Sequence, residues 1–306
     1  MIISSIKTGM AQIRANKRML LIFYLANLFF GLILMLPFRA ALDSFAGHSL
    51  MGQKLAGRLD MDFVFEFLHH TRDFTSVFSS LALVVAVAYW LFSLFLSGGA
   101  LGVLAGDERF SGALFWQNAG RYFGRFFRLM LYSLPVAGIL FCLQFIETGV
   151  QRLVFGADPY ENVLYWGAWI RFGLRTLSIL LFMLVLDYAR IHAVVSGEHR
   201  MRVSIWNGLK FAFGNLSRTF SLAFLLFLFG VVVLVIYNPI ADRLAAPSAM
   251  VVLLLFLLQQ LYMLFRMFLR LTFYASELSL YDKLNSGRQT EPAPAVDDLG
   301  LQGAVS

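Results

Sequence analysis

The residues of this chain that could do chemistry are charged and amide side chains placed inside long apolar runs. Asp187-Tyr188-Ala189-Arg190 sets a carboxylate and a guanidinium three residues apart, on one face of a helix. Arg175 precedes them in the same run. Counted from a helix start at 164 it lies about 16 Å down, near mid-bilayer; a start nearer Arg171 makes it interfacial. A later run carries Gln259 and Gln260, then Arg266 and Arg270 on one face, and Gln144 and Glu147 close a third. Polar groups at membrane depth are costly and default to functional roles. Two readings fit them. One is a polar cavity lined by Arg175, Asp187, Gln259 and Arg266 that binds an anionic headgroup or substrate. The other is interhelical glue, with Asp187 paired to Arg190, Arg266 or Arg270 and the glutamines bonding across helices. Charges near span ends can also snorkel to the interface.

Other chemistry has less to stand on. Glu66, His69 and His70 have spacings that could ligate a metal on a helix, with His48, Asp60 and Asp62 nearby, but there is no HExxH or paired Cys or His motif. An exposed polar face explains them equally, so no metal or other cofactor is assigned. The chain has no Walker A loop, GxSxG elbow or GxGxxG turn. Its one cysteine, Cys142, sits in an apolar run as small filler and allows no intrachain disulfide.

The elements that must position these residues follow from composition. Of 306 residues, 59% are hydrophobic and 14% charged, against roughly 25% charged in soluble domains. Mean hydropathy is +0.72. So few charges cannot keep that apolar surface dispersed in water, which excludes a soluble enzyme, a secreted disulfide scaffold and a disordered chain. A bilayer core needs about 20 apolar residues per helix. Six stretches qualify, at 19–37, 80–105, 129–146, 164–195, 219–237 and 248–273. The first is longer than a signal-peptide core and lacks a convincing cleavage site, so it reads as a retained anchor.

With both termini cytoplasmic, 17 of the 25 lysines and arginines fall on the inner side and 8 on the outer. That bias accounts for the net charge of +7 without nucleic acid. Tyr165, Trp166 and Trp169 then form an outer aromatic cluster.

The external loop spans 38–79, and its stretch at 59–70 reads as a surface helix or a strand. Two cytoplasmic segments, 107–128 and 198–218, read as basic amphipathic helices lying in the interface among anionic lipid headgroups. Gln117, Arg121, Arg125 and Arg128 share one face of the first. In the second, Ile205, Trp206, Leu209, Phe213 and Leu216 are the apolar set. Trp116 with Trp206, and Arg128 with Arg218, are each 90 residues apart. The chain therefore reads as a threefold repeat of two-span units, each followed by an amphipathic segment. Gly98, Gly102 and Gly106 let another helix approach closely, and Pro135 kinks the third span. The domain is 1–284, with a disordered cytoplasmic tail at 285–306.

The six spans, the Asp187-Tyr188-Ala189-Arg190 exit from the fourth, and the basic stretches after even-numbered spans resemble bacterial six-span inner-membrane proteins. More distantly, the layout is similar to the membrane domain fused to some glycerophosphodiester phosphodiesterases. The catalytic barrel of those proteins is missing, so the resemblance implies a scaffolding or lipid-associated module and no hydrolase. The expected fold is an all-α bundle of six transmembrane helices with cytoplasmic interfacial helices, in a bacterial inner membrane. Its expected role is non-enzymatic: a scaffold, regulator or assembly partner of another membrane protein, touching anionic lipids. The alternative is a small permease or lipid-handling protein using Arg175, Asp187, Arg190, Gln259, Gln260, Arg266 and Arg270. A membrane-embedded enzyme, built on His69–His70 or Asp187, ranks last.

Overall fold

The computed structural model describes residues 1–47, 61–106, 110–156, 159–243 and 248–289. The expectations that fall on His48, Lys54, Arg58, Asp60, Arg109 and the tail beyond 289 lie outside them. The described residues are all-α: α1 (Ile2–Ala15), α2 (Lys17–Ala46), α3 (Met61–His70), α4 (Arg72–Leu104), α5 (Gly112–Phe141), α6 (Gln144–Phe155), α7 (Glu161–Val195), α8 (Met201–Gly214), α9 (Leu216–Arg243) and α10 (Ala249–Gln289). Six stretches are long and apolar enough to cross a membrane, in α2, α4, α5 with α6, α7, α9 and α10. The protein is a polytopic all-α bundle.

Three segments differ from their expected form. The external loop at 38–79 is mostly helix: α2 runs through Pro37 to Ala46, and α4 already begins at Arg72. Phe45 holds α2 and α3 together, with ring centroids 5.6 Å from Phe63 and 5.4 Å from Phe67. The segment at 107–128 is no separate interfacial helix, because α5 continues unbroken from Gly112 into the third span. Its buried positions Phe115, Ala119, Tyr122, Phe126, Leu129 and Ser133 alternate spacings of four and three across the expected boundary. One apolar seam of that kind makes one helix. Lastly, α10 carries its helix past 285 to Gln289.

The segment at 198–218 is a separate helix, α8. Gly197, at φ 66°, takes the left-handed conformation that ends α7, and Glu198 accepts the Arg200 N–H at 2.9 Å. That bond holds the Glu198 carboxyl below its ordinary range. The face of α8 that packs inward is Ser204, Ile205, Gly208, Phe211 and Ala212, whereas Trp206 and Phe213 point out. Lys210 sits over the Trp206 ring at 5.3 Å.

The same packing occurs three times at one end of the bundle. The first half of α5 folds back on α4, α8 folds back on α7, and α1 lies on α10. Between helices in a bilayer there is little hydrophobic drive, so close packing over small residues must supply the attraction. A Cβ on Gly208 would come within 2.6 Å of the Ala189 backbone nitrogen, one on Gly9 within 2.8 Å of that of Ser276, and one on Gly99 within 2.9 Å of the Phe115 ring. Gly98 and Gly102 likewise meet Tyr122 and Asn118, so the glycine face of α4 is used inside the bundle. Lys283 Nζ donates to Ser4 Oγ at 3.3 Å and Ser5 Oγ at 3.2 Å, which sets the start of α1 beside the end of α10. The unit is thus an amphipathic segment followed by two spans, each segment packed on the last span of the unit before, and the first packed on the last. The expected repeat had the opposite phase, since it left α1 out. At the centre of this end Phe211 contacts Tyr188 at 5.0 Å and Tyr281 at 4.7 Å.

Candidate functional site

Just below this packed layer, α4, α5, α7, α9 and α10 enclose a cavity of about 460 Å³. Its charged lining is Asp187 and Arg190 from α7, with Arg266, Arg270 and Glu277 from α10. Asp187 and Arg190 are joined by an ion pair of 3.0 Å between Oδ1 and Nη1, with side chains 14% and 11% exposed. The three-residue spacing puts both on one face of α7, as the sequence indicates. Arg190 also lies over the Phe126 ring of α5 at 5.8 Å.

Arg270 is held from two helices. Its Nη2 donates to Ser93 Oγ of α4, its Nε to the Tyr274 hydroxyl at 3.4 Å, and its guanidinium covers the Phe23 ring of α2 at 5.7 Å. Arg266, one turn earlier on the same face, is exposed and lines the cavity. Glu277 is 1% exposed, and its Oε2 has no hydrogen-bond partner. It acts electrostatically on Asp187 and Arg190. Arg190 Nε and the Tyr188 hydroxyl are likewise buried without partners. Three guanidiniums against two carboxylates leave the lining at a formal +1.

The rest of the lining is mostly apolar, and its rim faces outward. Trp90 and Met183 line the cavity while 38% and 51% exposed on the surface that a bilayer would cover. Depth follows from helix rise. Arg270 lies about 31 Å along α10 from Ala249, one bilayer core thickness, and Arg190 about 8 Å before the end of α7. The charges therefore lie about one bilayer core thickness from the far end of α10, with the apolar rim towards the middle of the bundle.

Three of the expected lining residues are elsewhere. Arg175 is about 18 Å from Asp187 along α7, and its Nε donates to Gln144 Oε1 at 3.1 Å. There it accompanies the Arg171–Glu147 ion pair of 2.9 Å, at the opposite end of the bundle. Gln260 accepts the Tyr24 hydroxyl at 2.8 Å, tying α10 to α2, beside the Tyr89–Asn27 bond of 2.9 Å between α4 and α2. Gln259 is exposed and does not line the cavity. For Gln260, then, the geometry is that of interhelical glue. Glu277, Ser93 and Tyr274 are cavity residues that the sequence reading passed over. The signal for Glu277 was the spacing Arg266, Arg270, Phe273, Glu277, which keeps to one helical face.

Outside the cavity, the His70 ring lies tilted against Phe45 with centroids 5.4 Å apart, while Glu66 and His69 border a shallow surface depression. Among the described residues no three His, Cys, Asp or Glu side chains are grouped to hold a metal ion. Arg125 of α5 is buried; its Nη2 donates to His199 Nδ1 at 3.0 Å, bracing the turn between α7 and α8. No family model, curated protein or solved structure matches the chain.

Proposed function

We propose that this is a lipid-handling protein of a bacterial inner membrane, which takes the anionic head of an amphiphile into the cavity between α4, α7 and α10. One observation carries the reading: a cavity of about 460 Å³ whose charged floor is net positive and whose outward rim is apolar. Guanidiniums bind phosphate and carboxylate through several N–H donors in a fixed plane, and a low-dielectric site strengthens each bond. Arg266 and Arg270 are the two guanidiniums not hydrogen-bonded to a carboxylate, and they face the anion. The apolar rim leaves an acyl chain in the bilayer while the head is held. Both termini lie in the cytoplasm, a placement supported by the 17-to-8 division of lysine and arginine.

The test is native mass spectrometry of the protein released from a gentle detergent after incubation with phosphatidylglycerol. The expected result is one retained lipid, with retention reduced about tenfold in Arg266→Gln, the loss of one charge-assisted contact. A lipid-free wild type that carries another membrane protein at fixed stoichiometry would overturn this reading. It would support instead the scaffold, regulator or assembly-partner role.

A further inference from the structure

The cavity carries two kinds of unmet charge, and their order along the bilayer normal is informative. α4, α7 and α10 all run towards the end of the bundle that holds the termini. Along that direction the lining passes from Trp90, Leu180 and Met183, which are apolar, to Ser93, Arg266 and Arg270, and then to Glu277. Asp187 is already committed to Arg190 at 3.0 Å. Arg270 is hydrogen-bonded to neutral oxygens, those of Ser93 and Tyr274, and lies over the Phe23 ring; its charged neighbour Asp187 is the one already paired with Arg190. Glu277 borders the cavity, and its Oε2 is buried without a donor. A buried carboxylate without a donor is costly and calls for a cation or an N–H group. Glu277 lies two helical turns beyond Arg270, about 10 Å along the axis. Side chains on a helix lean towards its N-terminus, and both residues do so alike, so that spacing separates the guanidinium from the carboxylate.

From this arrangement, and resting on the lipid-handling reading above, we propose that the ligand is an aminophospholipid. Its phosphate is held by Arg266 and Arg270, and its primary ammonium by Glu277. The polarity order of such a molecule in the leaflet on the termini's side is acyl chain, phosphate, ammonium. Apart from the mutually paired Asp187 and Arg190, the lining presents apolar, cationic and anionic groups in that same order. An ammonium supplies three N–H donors, enough to satisfy Glu277 Oε2. Phosphatidylglycerol, which ends in hydroxyls, places no positive charge against Glu277. Free phosphoethanolamine has the same head chemistry but nothing to occupy the apolar rim.

The experiment is a competition read by native mass spectrometry. Equal amounts of phosphatidylethanolamine, its N-acetylated derivative and phosphatidylglycerol, with matched acyl chains, are offered to the wild-type protein and to Glu277→Gln. The expected result is retention of phosphatidylethanolamine over both competitors by about tenfold, one charge-assisted hydrogen bond, with that ratio falling towards unity in Glu277→Gln. The N-acetyl lipid removes the ammonium without touching the protein, so the wild-type ratio decides the matter even where the variant does not fold. Equal retention of all three lipids by wild type would overturn the ammonium site while leaving the anionic reading in place. No lipid retained at all would overturn the anionic reading itself. Excess free phosphoethanolamine is expected not to displace the lipid; displacement would overturn the lipid assignment in favour of a soluble ligand with the same head.

Discussion

Asp187 and Arg190 are each other's main compensation, in side chains only 14% and 11% exposed. Removing one partner leaves a buried charge, and the cost of that exceeds the value of the pair itself. Asp187→Asn is expected to lower stability by about 3 kcal/mol, with Arg190 and Arg270 left without the carboxylate between them. The double variant Asp187→Asn, Arg190→Gln is expected to recover part of the loss, because no isolated charge then remains. Thermal unfolding of the three proteins in one detergent checks this; a double variant less stable than Asp187→Asn alone would show that Arg190 is held by something other than the pair. At this scale the sequence was informative where spacing is local. Asp187 with Arg190, and Arg266 with Arg270, declare a shared face by counting. Ser93 and Tyr274 join the site through the crossing of α4 with α10, which no local spacing encodes. Glu277 was legible on its face, but a span ending at 273 places it outside the bilayer, where a carboxylate needs no explanation.

At the scale of the element, the spans could be read from hydropathy because a bilayer imposes length and composition directly. Where a helix stops could not. A polar, arginine-bearing stretch before the third span suggested a separate interfacial helix, yet the seam from Phe115 to Ser133 makes it one element with that span. The amphipathic segments are packed parts of the bundle, and their glycines mark the contacts. Gly9→Leu and Gly208→Leu each drive a side chain into the backbone of the facing helix, at Ser276 and Ala189, and neither backbone can give way. Each is expected to cost about 3 kcal/mol, the upper part of the range for overpacking. Gly120→Leu and Gly214→Leu, where a Cβ meets open space, are expected to fall within about 1 kcal/mol of wild type. Limited proteolysis reports which variants release the segment. Protection of Gly208→Leu equal to that of Gly214→Leu would contradict the close packing of α8 on α7.

The molecule as a whole closes on itself. α5 follows α4, and α8 follows α7, each packing back on the helix before it at the end of the bundle that holds α1. α1 meets α10 in the same antiparallel manner, and these are the first and last of the described helices. Ser4 and Ser5 accept from Lys283, and Gly9 faces Ser276, so the ends are neighbours in space. This closure was hidden in the sequence because the first amphipathic segment and the last span are the most distant elements along it. Its consequence concerns connectivity: the bond between successive units is interchangeable with the gap between first and last. A permuted chain in which Ser286 is joined to Met1 by a flexible linker of about ten residues, long enough to span the ends at roughly 5–6 Å times the square root of its length, should therefore assemble. Its new termini belong between Gly197 and Glu198, in the turn that is the counterpart of the natural gap. Opening the chain instead at 230, within α9, severs a span and leaves backbone groups unpaired in the bilayer. The first permutant is expected to insert and to unfold within a few degrees of wild type, and the second to be degraded. Failure of both alike would mean that α1 docks late, onto a bundle formed without it, and that the threefold arrangement is a likeness of packing that the folding of the chain does not use.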